Sequence, residues 1–276
     1  MSEICGKVAL VTGAAGGIGR LMSLDLAARG ARLVLWDIDQ AGLARVSEEV
    51  AAMGREVHGY RCDLSSRQAI HEAADRVKQE VGPVDILVNN AGIVTGRHFL
   101  QCSDEQIERT MAVNLMAHFW TLKAFLPDMV RRDQGHIVTI ASAGGLVGAN
   151  RLVDYCASKF AAVGLDDALR MELRKNRWNI RTTVVCPYFI KTGMFSGVRT
   201  RFAALLPLLD EDRVAAKIVA AIAADKRRVV LPVTVYLVWL LRLLPVEAFD
   251  WCADLLGINA AMDRFRGRRR EAQNRP

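Results

Sequence analysis

The chain has 276 residues, is 51% hydrophobic and carries a formal charge of +7. A chain of this length can bury one large core, and α/β folds of this size often form a single domain. The charge is uneven, because residues 264–276 hold six arginines and one glutamate, a net +5. We find no zinc-finger, helix-turn-helix or RNA-binding pattern in the sequence, so no nucleic-acid partner is expected.

The first residues and the cysteines favour a cytoplasmic protein. A short polar lead passes directly into an apolar run in MSEICGKVALVTG, without the basic and long apolar regions of a secretory signal. The six cysteines are scattered and form no C-x-x-C motif and no His/Cys cluster. We therefore expect reduced thiols, no disulfide framework and no metal site.

Short apolar runs alternate with helical patterns along most of the chain. Near-continuous Val, Ile and Leu in these runs is typical of a parallel sheet that is covered on both faces. The alternation implies right-handed crossovers, so we predict an α/β protein with one Rossmann-like, doubly wound parallel sheet of about seven strands. The predicted strands are 7–13, 31–37, 56–63, 85–92, 135–142, 180–187 and 227–232, and helical spacing fills 17–30, 39–54, 66–82 and 104–132.

The C-terminal part is more apolar than the rest. Residues 229–241 are almost purely apolar, but Pro232, Arg242 and Pro245 interrupt this run and its continuation. The run is therefore too short and too broken for a bilayer span, which needs about twenty apolar residues. It is either a buried strand followed by a core or dimer-interface helix, or an apolar helix that lies in a membrane interface. The basic residues 226–228 and the arginine tail would then lie at the lipid headgroups, although the tail could also be a solvated end. We divide the chain into a catalytic domain, 1–228, and an extension, 229–276, packed on the same domain.

Polar and glycine residues cluster where the predicted strands end. The carboxyl ends of parallel strands meet at one edge of the sheet, where doubly wound proteins bind their ligands. These residues are TGAAGGIG after the first strand, Asp37 after the second, Asp63 after the third, NNAG after the fourth, Ser142 after the fifth and Pro187 after the sixth.

The segment TGAAGGIG, residues 12–19, has the pattern of a dinucleotide phosphate loop. Gly13 permits the turn, Gly17 lets the backbone approach a pyrophosphate, and Gly19 allows the next helix to pack closely on the strand. That helix directs free N–H groups and a positive dipole end at the phosphates. Glycines can also merely form a turn, but the strand–loop–helix context and an aspartate twenty residues after Gly17 favour a dinucleotide site.

Asp37 is expected to select the dinucleotide. Its carboxylate would accept hydrogen bonds from the adenosine ribose and repel a 2′-phosphate, and Gly16 provides no basic side chain for that phosphate. NAD is therefore expected rather than NADP. Asp37 could also be the N-cap of the helix predicted over 39–54, and the two roles are compatible.

Tyr155 and Lys159 lie four residues apart in DYCASKFAAVG and so share one face of a helix. Taken alone, they could be two amphipathic side chains that extend their polar tips to water. They could also form a proton-transfer pair. A tyrosine with a pKa near 10 is a poor base at neutral pH, whereas a cation one turn away and NAD⁺ nearby both stabilise its phenolate. The remaining motifs favour the proton-transfer pair.

Taken together, these motifs resemble the short-chain dehydrogenase/reductase family. In order they are TGxxxGxG at 12–19, Asp63-Leu64, Asn89-Asn90-Ala91-Gly92, Asn114 in a helix, Ser142, and Tyr155-x-x-x-Lys159 thirteen residues after the serine. The resemblance implies a parallel sheet of order 3-2-1-4-5-6-7. It also implies a homodimer or homotetramer built through two long helices near 104–132 and 152–176.

The family's residue roles carry over to the matching positions. Tyr155 would be the general acid/base, while Lys159 would bind the nicotinamide ribose and lower the pKa of the tyrosine. Ser142 would orient the carbonyl or alcohol, and Asn114 would support a water chain from Lys159 to solvent. The resemblance places the cofactor contacts at Gly13, Gly17, Ile18 and Gly19 in the loop, Asp37 and Asn90 near the adenosine ribose, Asp63 and Leu64 near the adenine, Tyr155 and Lys159 near the nicotinamide ribose, and Thr192 near the nicotinamide amide or the phosphates.

Further segments resemble one subgroup, the epidermal retinol dehydrogenases and lipid-droplet 17β-hydroxysteroid dehydrogenases. They include LVLWDID, AHFWTLKAFLPDM, YCASKFAAVG, PYFIKTGMF and LLGINAAMD. That subgroup usually carries an N-terminal membrane anchor, which this sequence does not show, so we expect a cytoplasmic or only peripherally membrane-attached relative.

The resemblance implies an NAD-dependent oxidoreductase for a bulky apolar secondary or allylic alcohol and its carbonyl: a retinoid, steroid, long-chain or aromatic compound. One departure concerns the pocket, because Tyr188 follows Pro187 where the family commonly has glycine.

The alternatives to an enzyme are a non-catalytic NAD(H)-binding sensor and a membrane-surface scaffold of the same fold. The complete set of Ser142, Tyr155, Lys159 and Asn114 favours the enzyme.

Overall fold

The sheet follows directly from the apolar runs of the sequence. The computed structural model describes residues 3–267, within which seven parallel strands form one sheet of order β3-β2-β1-β4-β5-β6-β7. The predicted fold class and strand order are confirmed. The strands are β1 (Val8–Thr12), β2 (Arg32–Asp37), β3 (Val57–Arg61), β4 (Ile86–Asn89), β5 (Gly135–Ile140), β6 (Ile180–Pro187) and β7 (Arg228–Leu231), each inside its predicted range.

Helices cover both faces of this sheet. Those of the described chain are α1 (Gly17–Ala28), α2 (Gln40–Ala52), α3 (Arg67–Glu80), α4 (Asp104–Met111), α5 (Ala117–Arg131), α6 (Val153–Lys175), α7 (Glu211–Ala223), α8 (Leu237–Leu241) and α9 (Val246–Leu255). The helix predicted over 104–132 is divided, because Ala112–Met116 forms a π-helical turn between α4 and α5. A π turn adds one residue to a helical turn without changing its apolar composition, so the sequence pattern does not reveal it.

Alternate residues of β2 pack into two separate cores. Leu33 and Leu35 of β2 face one core, which contains apolar side chains of α1, α2 and α7. Val34 and Trp36 face the other core, which contains side chains of α3, α5 and α6. Since both faces of the strand are buried, an uninterrupted apolar run is the composition that this position requires.

The last strand joins the C-terminal extension to the sheet. The proposed boundary after residue 228 falls inside β7, which pairs with β6 from Val184↔Arg228 to Pro187↔Leu231. After it, residues 233–241 form a short turn and α8, from which Leu237 and Leu240 are exposed. Of the two interpretations of 229–241, the strand therefore applies to its first residues. Within residues 3–267, no helix is long and apolar enough to cross a membrane.

The segment after α9 turns back over the carboxyl edge of the sheet. The backbone N–H of Arg199 donates to the carbonyl of Ala261 at 3.2 Å, and that of Arg266 donates to Ser196 at 2.8 Å. The Arg151 guanidinium donates to the carbonyl of Met262 at 3.1 Å. Most of the arginine tail, from residue 268 on, lies outside the described residues.

Candidate active site

A cavity of about 610 Å³ lies at the carboxyl edge of the sheet. Loops that follow successive strands supply its walls, because those strand ends meet at this edge. Asn114 is the one residue of the predicted site that does not line the cavity. The others all do: Gly13, Gly17, Ile18, Gly19, Asp37, Asp63, Leu64, Asn90, Ser142, Tyr155, Lys159 and Thr192.

The glycine loop between β1 and α1 is tightly built. Gly13 and Gly17 have positive φ angles of 66° and 53°, a conformation that favours glycine. A methyl group on Gly19 would overlap the carbonyl oxygen of Gly13. The Asn90 amide nitrogen donates to the carbonyls of Thr12 and Gly13 at 2.8 and 3.3 Å, so this residue also holds the loop in place.

Asp37 lies at the end of β2 and supports the loop from the other side. One carboxylate oxygen accepts a hydrogen bond from the backbone of Ala15 at 3.0 Å, and the other accepts one from Asp39 at 3.0 Å. The interpretation of Asp37 as the N-cap of α2 is wrong, because Asp39 is the cap and accepts from Gly42 at 3.0 Å. Asp37 is therefore free of capping and presents its charge to the cavity.

These features fit a dinucleotide. The first turn of α1 offers its N–H groups and positive dipole end at Gly17. Asp37 at the end of β2 and Asp63 after β3 lie on one side of β1 in the sheet, where an adenosine can be held. On the other side of β1, Lys159 bonds the carbonyl of Ile140 in β5. Glycines at 13 and 19 are required by the close approach of neighbouring backbone and side chains.

Tyr155 and Lys159 lie in the first turns of α6, and both side chains are buried. The Lys159 ammonium is 5.8 Å from the centre of the Tyr155 ring and donates to the Ile140 carbonyl at 2.8 Å. Burial lowers the pKa of Lys159 to about 8. Burial also raises the pKa of Tyr155 above its ordinary value, and a hydrogen bond with Ser142 acts in the opposite direction. Burial thus outweighs the effect of Ser142 on the pKa of Tyr155, and the lowering expected from Lys159 stays a prediction.

Ser142 follows β5 and faces the tyrosine. Its hydroxyl accepts a hydrogen bond from the backbone of Gly144 at 3.0 Å and lies 3.5 Å from the carbonyl of Pro187. The hydroxyl also interacts with Tyr155 and acts to lower the pKa of its phenol. Two hydroxyl groups therefore converge at the same end of the cavity.

Asn114 is buried within the π-helical turn. Its amide oxygen accepts from the backbone of Ile93 at 2.8 Å, and its amide nitrogen donates to the Ile93 carbonyl at 2.9 Å and the Ser158 hydroxyl at 3.1 Å. A Cβ atom built on Gly92 would lie 3.4 Å from the Asn114 amide oxygen and 3.6 Å from the Lys159 nitrogen. Asn114 thus lies behind Lys159 and joins α6 to the loop after β4.

Asp154 was not singled out from the sequence, although it precedes the tyrosine. Its buried carboxylate accepts hydrogen bonds from the hydroxyls of Thr95 and Thr110, both at 2.9 Å. These bonds fix the first turn of α6 to α4 and to the loop before it. A single acid at the start of an apolar helix is too common a pattern to indicate this role.

The C-terminal segment supplies another wall that the sequence did not predict. Ile258 lines the cavity. Met262 is fully buried in the apolar cluster that contains Tyr155, and Phe265 occupies the space that a side chain at Gly96 would need. Contacts between residues so distant in sequence leave no local pattern, so only the folded chain shows them.

Aromatic rings form the wall after β6. Tyr188 lines the cavity and contacts Phe189 edge-on, with 4.8 Å between ring centres. Phe195 contacts Phe189 at 5.1 Å and Tyr155 at 5.9 Å, both edge-on. Tyr188, at the position where the family commonly has glycine, therefore adds a ring to the wall of the cavity.

A doubly wound sheet with a glycine phosphate loop and a buried Tyr–Lys pair at its carboxyl edge defines a dinucleotide-dependent oxidoreductase. The family model for short chain dehydrogenases matches residues 7–202. The chain therefore belongs to the short-chain dehydrogenase family, an oxidoreductase family that acts on alcohols and their carbonyls, and the expected family and enzyme class are confirmed.

Two similar curated proteins are epidermal retinol dehydrogenases 2. The mouse protein is 45% identical over 276 residues, covering 98% of this chain and 88% of its own length. The human protein is 47% identical over 271 residues, covering 95% of this chain and 86% of its own length. Among solved structures, a Burkholderia phymatum short chain dehydrogenase/reductase in complex with NAD has a TM-score of 0.80 and 30% identity, covering 91% of this chain and 97% of that one. A metagenomic short-chain oxidoreductase in complex with NADP has a TM-score of 0.70 and 33% identity, covering 83% of this chain and 98% of that one.

Proposed function

We propose that this protein is an NAD-dependent dehydrogenase that interconverts a bulky apolar alcohol, foremost a retinoid, and its carbonyl. The observation that carries the proposal is the meeting of Tyr155, Ser142 and Lys159 at one end of the cavity. The mouse and human relatives named retinol dehydrogenases support the choice of substrate. Asp37 supports the choice of NAD.

The side chains at the cavity end suit acid–base chemistry. NAD, when bound, supplies the acceptor for the hydride of the substrate carbon. Ser142 holds the substrate oxygen through its hydroxyl, and Tyr155 exchanges a proton with that oxygen. Lys159 stabilises the phenolate by its charge, and Asn114 fixes the backbone beside Lys159.

The walls of the cavity suit an apolar substrate. They include aromatic and aliphatic side chains that exclude water. These residues include Val147, Leu152, Tyr188, Phe195 and Ile258. An apolar alcohol fits this composition better than a polar one.

A substrate panel tests the proposed function. Purified protein and NAD⁺ are mixed with all-trans-retinol, a steroid alcohol, a long-chain alcohol and a short polar alcohol, and NADH formation is followed by absorbance. We expect turnover with the apolar alcohols and with retinol above all. NADH binding without turnover of any alcohol would contradict the proposal and support the sensor alternative.

Asp37 gives a prediction about cofactor preference. Asp37→Ser removes a charged acceptor of the ribose and the charge that repels a 2′-phosphate, so kcat/KM with NAD should fall about tenfold or more while kcat/KM with NADP rises. The control is Asp39→Ser, which keeps a good N-cap on α2 and should leave the preference unchanged. An unchanged ratio in the Asp37 variant would contradict the assignment.

We also propose that the protein binds lipid surfaces through its C-terminal apolar surface, defined by Val233, Leu237, Leu240, Leu243, Leu244 and Val246. All six side chains are exposed, and Leu243 is 82% exposed. Contiguous exposed apolar residues are unusual on a soluble protein and are typical of interaction sites. The arginine tail that follows would favour an anionic surface.

Flotation with anionic phospholipid vesicles tests this contact. The double variant Leu240→Ser/Leu243→Ser should lose most vesicle binding and keep its activity on a dissolved substrate. Leu100→Ser is the matched control, because Leu100 is 95% exposed on the loop before α4. Equal flotation of the two variants would refute the contact. It would also be refuted if the double variant, and not Leu100→Ser, disrupted a dimer of subunits.

We further propose a homodimer or homotetramer built through α5 and α6. Phe119, Phe160 and Met171 on these helices are exposed apolar side chains. Sedimentation of the purified protein tests this assembly, and a monomer at micromolar concentration would contradict it.

A further inference from the structure

The C-terminal segment, defined as residues 258–266, is attached near its end to two loops of the carboxyl edge. The backbone N–H of Arg266 donates to the carbonyl of Ser196, in the loop after β6, at 2.8 Å. The ring of Phe265 fills the space that a Cβ atom on Gly96 would need, in the loop after β4. The segment therefore lies against both loops.

A third attachment comes from Arg151, in the turn between β5 and α6. Its Nη1 atom donates to the carbonyl of Met262 at 3.1 Å and to that of Asp263 at 3.2 Å. Hydrogen bonds from a charged donor are stronger than those between neutral groups. The neighbouring residue, Asn150, adds only longer bonds to Asn259, at 3.3 and 3.4 Å. Arg151 thus makes the main side-chain bonds between this turn and the C-terminal segment.

The backbone of Arg151 has a conformation that is unfavourable for an arginine. Its φ angle is 63°, in the left-handed region that residues other than glycine seldom adopt. Such residues persist where the surrounding contacts hold them, and they are concentrated at functional sites. Glycine would suit the turn better. The turn itself does not explain an arginine at this position, whereas the bonds to the C-terminal segment do.

The C-terminal segment contributes apolar side chains to the wall of the cavity. Ile258 lines the cavity, and Met262 packs in the apolar cluster that contains Tyr155. Leu152, the residue after Arg151, belongs to the same cluster and also lines the cavity. The bonds of Arg151 therefore join two parts of one wall.

The start of α6 is supported by other contacts. Asp154 accepts hydrogen bonds from the hydroxyls of Thr95 and Thr110, both at 2.9 Å, and these residues lie outside the C-terminal segment. Loss of the Arg151 side chain should therefore release the segment and leave Tyr155 in place. A loosened wall weakens the binding of an apolar ligand more than it slows the chemical step.

We propose that Arg151 holds the C-terminal segment closed against the cavity and is thereby a positioning residue for bulky apolar alcohols. The inference rests on the proposed function, in which such an alcohol reacts at Tyr155. The closed segment excludes water from one side of the bound alcohol, so its release lowers the affinity for a bulky apolar alcohol. Affinity for the dinucleotide, which depends on the phosphate loop, is not affected.

Arg151→Gly tests this role, because glycine removes the side chain and suits the positive φ angle. KM for the best alcohol of the panel should rise about tenfold, while kcat and KM for NAD change by less than about twofold. Arg177→Gly is the matched control. Arg177 also has a positive φ angle, 58°, follows α6 and is not one of the described residues that line the cavity. Equal KM for the alcohol in the two variants would overturn the proposal, as would a fall in kcat without a rise in KM.

A double variant separates this role from a general loss of stability. Phe265→Ala removes the contact at Gly96, so it should release the same segment. The rise in KM in Arg151→Gly/Phe265→Ala should therefore be smaller than the product of the two separate increases, because residues that act through one element are not additive. Increases that multiply fully would show that the two side chains act separately and would overturn the proposal.

Hydrogen exchange tests the attachment without an activity measurement. Peptides that cover residues 258–266 should exchange faster in Arg151→Gly than in Arg177→Gly or the unaltered protein, because the released segment opens more often. Unchanged exchange in Arg151→Gly would overturn the proposal. If the unaltered protein oxidises no alcohol, the proposed function fails, while the exchange rates still decide whether Arg151 holds the segment.

Discussion

Tyr155→Phe should lower turnover by about 10²- to 10⁴-fold and leave NADH binding nearly intact. The phenylalanine ring can keep the edge-on contact with Phe195, whose ring centre is 5.9 Å away, so the variant loses only a hydroxyl. What disappears is the proton donor beside Ser142. The measurements are kcat with the best alcohol of the panel and the NADH dissociation constant from fluorescence.

Tyr188→Phe is the matched control for that variant. Tyr188 also lines the cavity, but its hydroxyl has no assigned part in the proton transfer. Loss of the Tyr188 hydroxyl should change KM for the substrate more than kcat. Equal activity of Tyr155→Phe and the unaltered enzyme would remove Tyr155 from the mechanism.

The direction of the reaction should respond to pH in a defined way. Because burial raises the pKa of Tyr155, the phenol is protonated at neutral pH and ready to act as an acid in carbonyl reduction. Alcohol oxidation needs the phenolate, so its kcat should rise as the pH becomes alkaline, while reduction should fall. Profiles of kcat in both directions test this, and a flat profile for oxidation would contradict it.

Gly19→Ala should disrupt the phosphate loop. The added methyl group would overlap the carbonyl oxygen of Gly13 and lie 2.7 Å from the Asn90 amide nitrogen, so α1 or the loop must move. Overpacking of this kind costs about 1–3 kcal/mol. We expect a lower melting temperature and a loss of NADH affinity of about tenfold or more, since a displaced loop no longer directs its N–H groups at the phosphates.

Gly16→Ala provides a control in the same loop. Gly16 has an extended backbone with φ of −170°, and no described atom outside its immediate chain neighbours lies within 4 Å of a Cβ placed there. It should melt close to the unaltered protein and keep most of its NADH affinity. Similar losses in both variants would show that any side chain in the loop is harmful, and would contradict the specific role of Gly19.

The strands and the cofactor part of the site could be read from the sequence for a physical reason. Strands buried on both faces need uninterrupted apolar runs, as in Val8–Thr12, and their carboxyl ends bring distant motifs to one edge. The sequence does not identify the N-cap of α2, because Asp37 and Asp39 lie two positions apart and both are suitable N-cap residues. Only the bond from Gly42 to Asp39 distinguishes them.

Other parts of the site depend on the folded chain. The raised pKa of Tyr155 follows from its burial, and burial is a property of everything packed around the ring. The π-helical turn at Asn114 has the same apolar spacing as the helices that flank it. Asp154 acts through contacts with Thr95 and Thr110 on other segments, so its neighbours in sequence say little about it.

The wall that Ile258 and Met262 add to the cavity comes from the far end of the chain, whereas the phosphate loop is made within its first twenty residues. A chain that ended before Ile258 would lack this wall, and that side of the substrate pocket would be open to water. Exchange of residues 256–265 between relatives offers a way to change the alcohol accepted without altering the dinucleotide.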